Sequence, residues 1–205
     1  MSEIVICGGN GAQGREALAL LLKALPDARF HVIDRVPVEE RDRVRTTTLD
    51  LVKDDRSLRH AIADAHLLLN FAGPFYRLGV QVLLACIESK VDYVDICDDV
   101  DATKLLLACG KDAEAAGIRA LVGAGSAPGT TNLLVKLALE YLAAEAGEGH
   151  ADIAWCAPGS DLTFGIFEHL VHCFRTALPG RTRTPDWGEL EPRLVDFPEP
   201  IGRLE

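Results

Sequence analysis

The sequence has no run of Lys and Arg, and its 21 basic residues are outnumbered by 31 acidic ones, for a formal net charge of −10. A phosphate backbone needs a basic face to bind, so nucleic acid is excluded as the main partner. No apolar stretch approaches the ~20 residues that span a bilayer. No basic N-terminal segment leads into a long apolar run, so neither a membrane span nor a signal peptide is read. There is no C-x-x-C: the six cysteines, Cys7, Cys86, Cys97, Cys109, Cys156 and Cys173, are scattered. Most sit in apolar segments, where a thiol packs as a small hydrophobe, and a reducing cytoplasm is the expected setting. None is paired with histidine at zinc-binding spacing, and no metal is expected.

What the chain does have begins at its third residue. Glu3-Ile-Val-Ile-Cys7 reads as a short buried strand, Gly9-Asn-Gly11-Ala-Gln-Gly14 follows, and Glu16 to Leu25 reads as a helix. Strand, G-x-G-x-x-G and helix form a dinucleotide-binding signature. Gly9 is expected to permit the tight turn and Gly11 to let the backbone approach a pyrophosphate. Gly14 lets the helix pack on the strand, and the amides of Asn10, Ala12 and Gln13 border the same space. A second strand, Arg29 to Ile33, ends in Asp34, 20 residues after Gly14, where a carboxylate binds a ribose diol.

The alternation continues. Strands are expected at Val44–Leu49, His66–Asn70, Asp92–Ile96 and Ile118–Val122, with helices at Ser57–Ala63, Gly79–Ser89 and Ala102–Ala116, the last stopped by Gly117. Thr130 or Thr131 can cap a further helix running to about Ala144. Six apolar strands with intervening helices predict an α/β fold, a doubly wound parallel Rossmann sheet with the ligand at its C-terminal edge. Near Glu145 to His150 the composition turns Gly-rich and polar, as in a linker. Ala151–Cys156 is then strand-like, Phe164–Leu178 helix-like, and the stretch from Pro179 Pro- and Arg-rich. The expected domains are 1–145, binding NAD(P), and 146–205, part of a second α+β domain.

Gly8, Gly11 and Gly14 also fit the G-x-x-G-x-x-G loop of short-chain dehydrogenases, which need Tyr-x-x-x-Lys. Four residues after Tyr76, Tyr93 and Tyr141 stand Val80, Cys97 and Glu145, so that chemistry is not expected.

Several blocks in order resemble the saccharopine dehydrogenase-like family, which includes the carboxynorspermidine synthases. They are Val5 to Gly14, Leu69-Asn-Phe-Ala-Gly-Pro-Phe75, Ala85-Cys-Ile with Asp92 to Cys97, Gly125 to Leu134, and Phe197-Pro-Glu-Pro-Ile-Gly202. The resemblance implies an NAD(P)-dependent oxidoreductase that transfers hydride at a C–N bond of an amino-acid-derived substrate. It also implies a larger second domain than these residues supply, so the chain is expected to bind cofactor without useful turnover. A non-catalytic dinucleotide-binding module and a reductase of another substrate class on the same scaffold are the alternatives.

Asp34 is expected to accept from the adenosine hydroxyls and repel a 2′-phosphate, which favours NAD. Arg35 pulls towards NADP, the cofactor common in the family. The balance is NAD or NADP with a slight lean to NAD. Asp50 can reach the adenine edge or cap the following turn. Asn70, Ala72, Gly73 and Pro74 are expected to line the cofactor from the fourth strand. Asp95, Asp98 and Asp99 stand near the expected nicotinamide end and are weak candidates for binding a substrate amine or relaying a proton. The amides of Ser126 to Asn132 can hold a carboxylate or simply form the exit from the sheet. The expected partners are an amino-acid-like small molecule and, as an open option, a second copy of the chain.

Overall fold

A computed structural model describes residues 3–146, 153, 167–169, 171, 172, 194–199 and 201–204. Six strands form one sheet: β1 (Glu3–Cys7), β2 (Arg29–Asp34), β3 (Val44–Thr48), β4 (Leu67–Asn70), β5 (Asp92–Asp95) and β6 (Ala120–Leu121). All pairings are parallel and the order is β3-β2-β1-β4-β5-β6. That is the dinucleotide-fold order. The strand sequence reverses between β1 and β4, and the crevice at that switch point opens at the C-terminal strand ends.

Alternation along the strands builds two apolar layers. On one face Ile4, Ile6, Phe30, Val32 and Val44 pack with Leu18 of α1 (Ala12–Ala24). On the other, Val5, Cys7, Ile33, Leu68 and Tyr93 pack with side chains of α2 (Asp55–Ile62), α3 (Phe75–Ser89) and α4 (Val100–Ala108). Burying each large side chain contributes about 1.5–3 kcal/mol, so this second layer dominates the stability of the sheet.

Helices start earlier than apolar spacing suggests; the first turn of α1, for one, carries no large apolar residue. α1 begins at Ala12 rather than Glu16, and α3 at Phe75 rather than Gly79. The expected helix from Ala102 to Ala116 is two helices, α4 and α5 (Gly110–Ala116). They meet at Cys109, whose N–H bonds Leu106 O at 3.1 Å in a tightened last turn. Gly117, with φ 76°, ends α5 as expected. α6 (Thr130–Ala146) follows β6; the threonines lie inside it rather than capping it, and the Asn132 side chain accepts from Gly129 N at 3.2 Å.

The chain divides into two compact units, Met1–Leu134 and Val135–Glu205. In the second, β7 (Val195–Asp196) and β8 (Arg203–Leu204) form an antiparallel pair held by Arg203 on the Asp196 carboxylate. The linker from 147, the strand expected at Ala151–Cys156 apart from Ile153, and the Pro- and Arg-rich stretch up to 193 lie outside the described residues. The helix expected over Phe164–Leu178 is described only at 167–169, 171 and 172, which are helical.

Candidate dinucleotide site

The glycine loop runs from the end of β1 into α1, and each glycine is there for a different reason. The turn's positive φ falls on Gly8, at 76°, rather than on Gly9. Gly8 N donates to Ile33 O at 2.9 Å, tying the turn to β2. A Cβ on Gly8 would lie 2.6 Å from Ala72 N, so this loop and the one after β4 touch backbone to backbone. Gly9 packs against β2, where a Cβ would meet the Val32 side chain at 2.6 Å. Gly14 is the close contact between helix and turn: a Cβ there would stand 2.3 Å from Gly8 O.

Gly11 differs from all three. A Cβ added to it would meet one atom, Gly8 O at 3.2 Å, and the residue is exposed with Ala12 and Gln13. It is the N-cap of α1, with no side-chain cap and no acidic residue in the first turn. The helix therefore presents backbone N–H groups and its positive dipole end to open space, a setting made for anionic oxygen.

Asp34 ends β2 beside this space. Its carboxylate accepts from Asn10 N at 2.8 Å and Val36 N at 3.0 Å, which holds both oxygens at the loop's rim. Arg35 is exposed next to it. Asp50 caps its own turn, accepting from Val52 N at 3.1 Å and pairing with Lys53 at 2.9 Å. The Lys53 contact, then the Val52 amide and the Arg35 charge, hold its carboxyl below the usual range. The cap of α2 is Asp54, which accepts from Ser57 N at 2.9 Å.

Beyond β4 the chain passes through Phe71, Ala72, Gly73 and Pro74 into α3. Gly73 is exposed, and a Cβ there would meet nothing within 4 Å. Asn70 itself is turned inward and only 1% exposed. Its Oδ1 accepts from Ala72 N at 3.0 Å and its Nδ2 donates to Tyr93 Oη at 3.1 Å. Tyr93 in turn donates to Asp95 Oδ2 at 2.8 Å. Asp95, 1% exposed, accepts on Oδ1 from Cys97 N at 3.0 Å and Gly123 N at 2.7 Å. Its oxygens thus face protein donors from the loops after β5 and β6. Asp98 is exposed and Asp99 buried, at the N-cap position of α4.

Four other groups bear on chemistry. Burial pushes the Cys7 and Cys97 thiols up to about 12 and raises Cys86 further, so none of the three supplies a thiolate. Cys109 is half-buried and also raised by burial. The loop after β6 folds on itself: Gly129, at φ 120°, would bring a Cβ within 2.3 Å of Gly125 O, and Thr130 N bonds that same oxygen at 3.0 Å.

Among sequence-expected residues, the structure brings the glycine loop together with Asp34, through Asn10 N, and with the Ala72 backbone, through Gly8. It buries the Asn70 and Asp95 side chains. Sequence reasoning puts the tight turn at Gly9 rather than Gly8, and it weighs Tyr93 only for a Tyr-x-x-x-Lys pair. The signal for Tyr93 was its position two residues before Asp95, on the same strand face.

Solved structures share this architecture. Apo saccharopine dehydrogenase (L-Glu forming) from Saccharomyces cerevisiae matches with a TM-score of 0.60 at 21% identity, over 72% of this chain and 32% of that one. The chain thus spans about a third of the length of that relative. The dTDP-glucose 4,6-dehydratase of Bacillus anthracis, solved in complex with NAD, matches with a TM-score of 0.50 at 11% identity, over 60% of this chain and 54% of that one. No curated protein matches the sequence. The family model for the saccharopine dehydrogenase NADP binding domain matches residues 4–145, and by that match the chain belongs to the saccharopine dehydrogenase NADP-binding domain family.

Proposed function

We propose that this chain binds a nicotinamide dinucleotide across the C-terminal edge of its sheet, as the cofactor half of an oxidoreductase of the saccharopine dehydrogenase type. The observation that carries this reading is the exposed, uncapped start of α1 at Gly11, Ala12 and Gln13, with the Asp34 carboxylate held beside it by Asn10 N. The amides of Ala12, Gln13 and Gly14 would receive the pyrophosphate, and Asp34 the adenosine diol. Ala72 and Gly73 would border the nicotinamide half, where small residues leave room for a ring and its ribose.

Once bound, the dinucleotide supplies hydride chemistry, and the protein supplies position and electrostatics. The family points to NADP, while the Asp34 carboxylate at the ribose position opposes a 2′-phosphate. NAD is the preferred cofactor in this reading. The substrate class follows from the family: a secondary amine between amino-acid-like molecules, oxidised or formed at its C–N bond. Residues 1–145 would form the cofactor domain, and 146–205 would open the domain that completes the substrate pocket. A reducing cytoplasm suits the four cysteines free among the described residues.

The test is a pair of titrations followed by nicotinamide fluorescence. NADH binds more tightly than NADPH in the wild-type chain, and Asp34→Ala reverses the order. A lost charged hydrogen bond is worth about 1.5–3 kcal/mol, roughly ten- to a hundredfold in NADH affinity. Equal responses of the two cofactors would take Asp34 away from the ribose. On the substrate side, in a protein that carries the complete second domain, reduction of the nicotinamide by an N-substituted amino acid supports the C–N assignment. Reduction by a hydroxy acid or a sugar in its place overturns it.

A further inference from the structure

The C-terminal edge of the sheet carries a buried polar chain that no cofactor contact requires. Parallel pairing sets Leu68 opposite Tyr93 and Asn70 opposite Asp95. Side chains two apart share a strand face, so Asn70, Tyr93 and Asp95 project into one layer. That layer is otherwise apolar: Leu68, Val82, Leu83 and Cys86 belong to its core cluster. Three polar side chains in such a place cost free energy unless each is satisfied.

They are satisfied by one another and by three loop amides. The Tyr93 hydroxyl, fully buried, receives the Asn70 amide at 3.1 Å and gives its proton to Asp95 at 2.8 Å. At one end Asn70 accepts from Ala72 N, in the loop after β4. At the other Asp95 accepts from Cys97 N after β5 and Gly123 N after β6. Burial, and then the Asp95 charge, push the tyrosine's proton affinity up, so the phenol stays a donor. Each link has a single direction of donation, because Asn70 Nδ2 can only give, which leaves the phenolic proton for Asp95.

Among the described residues, the Ala72, Cys97 and Gly123 amides give their hydrogen bonds to the Asn70 and Asp95 side chains. The adenine side is fixed separately: Gly8 N by Ile33 O, and Asn10 N by Asp34. We propose that Tyr93 is a positioning residue for the nicotinamide half of the cofactor, setting the Ala72–Gly73 backbone through Asn70 while it locks the loops after β5 and β6 through Asp95. This rests on the dinucleotide reading given above and deepens it. The Tyr93 side chain itself touches no ligand; it acts through the two residues it joins.

The experiment compares binding of NADH with binding of AMP, which occupies only the adenine side. Tyr93→Phe keeps the ring and removes the link. It weakens NADH by about tenfold, the scale of one lost buried hydrogen bond, and leaves AMP within about twofold. Amide hydrogen exchange quickens at Ala72 and Gly123 and stays unchanged in β1 and β2. Asp95→Asn supplies a second variant of the same shape. It turns the acceptor facing the phenol into a donor and weakens NADH over AMP in the same manner; if Tyr93→Phe fails to fold, it decides the matter alone. Equal loss of both ligands, or loss of neither, in a folded variant overturns the positioning role and leaves dinucleotide binding standing. A folded wild-type chain that binds AMP but neither NADH nor NADPH overturns both readings.

Discussion

Two glycines separated by two residues make different predictions. At Gly11 a Cβ meets one atom, Gly8 O at 3.2 Å, a tight contact that is relieved only if that carbonyl gives by a few tenths of an ångström. Gly11→Val is expected to lose dinucleotide binding while the chain still folds, at a smaller cost in melting temperature than Gly14→Ala. At Gly14 the Cβ falls 2.3 Å from Gly8 O, backbone that cannot move aside. Gly14→Ala is therefore expected to destabilise the domain itself by about 1–3 kcal/mol, read as a fall in the denaturant midpoint. If Gly14→Ala melts like the wild type, the close helix–turn contact is wrong. The glycine spacing is legible in the sequence, because backbone proximity at a strand–helix turn leaves few alternatives. Which glycine bears the positive φ is not, since Gly8 is identified only by the loop it abuts.

At the scale of elements, pattern finds what a strand or helix is and misses where its neighbours cut it. The apolar spacing from Ala102 to Ala116 runs straight through Cys109 and Gly110, so periodicity sees one helix. The tightened turn at Cys109 makes two. Gly110 has open space where a Cβ would stand, and its φ is not positive. Gly110→Ala is thus expected to stabilise the domain by about 0.4–1 kcal/mol through the unfolded chain, raising the denaturant midpoint. A lowered midpoint would show that the break needs glycine.

The β2–β3 pair makes a second element-scale prediction. His31 is fully buried, with Nε2 2.7 Å from Thr47 Oγ1 and 3.4 Å from an Arg45 nitrogen; Arg45 in turn pairs with Glu3 of β1. Burial, and then the Arg45 charge, lower the imidazole from its ordinary 6.5 to about 4. Between those values the unfolded chain holds the proton and the folded one refuses it. Stability therefore rises with pH across that window and is lost as pH falls from about 6.5 towards 4. Thermal melts over this range should show that slope flattened in His31→Gln. An unchanged slope would place the acid sensitivity elsewhere.

At the scale of the whole molecule, the sheet is readable because its central strands β1 and β2 are buried on both faces and helices separate most of its strands, which leaves the right-handed doubly wound order as the natural solution. The half of the site made by consecutive residues is equally readable: the glycine loop, Asp34 at a set distance, and the small residues after β4. The half made by register is not. Tyr93 reads as an ordinary core aromatic until β4 and β5 are aligned, and Asp95 reads as an exposed acid until Gly123 folds back onto it. Asn70 is legible as the end of β4, but its inward direction is not. The measurement that bears most directly on the account is a titration of the wild-type chain and Gly11→Val with NADH, followed by nicotinamide fluorescence alongside the thermal melt of each. Saturable binding is expected of the wild type and none of the variant, with the variant still melting cooperatively above the assay temperature. A folded wild type that does not bind, or a variant that binds as well, would contradict it.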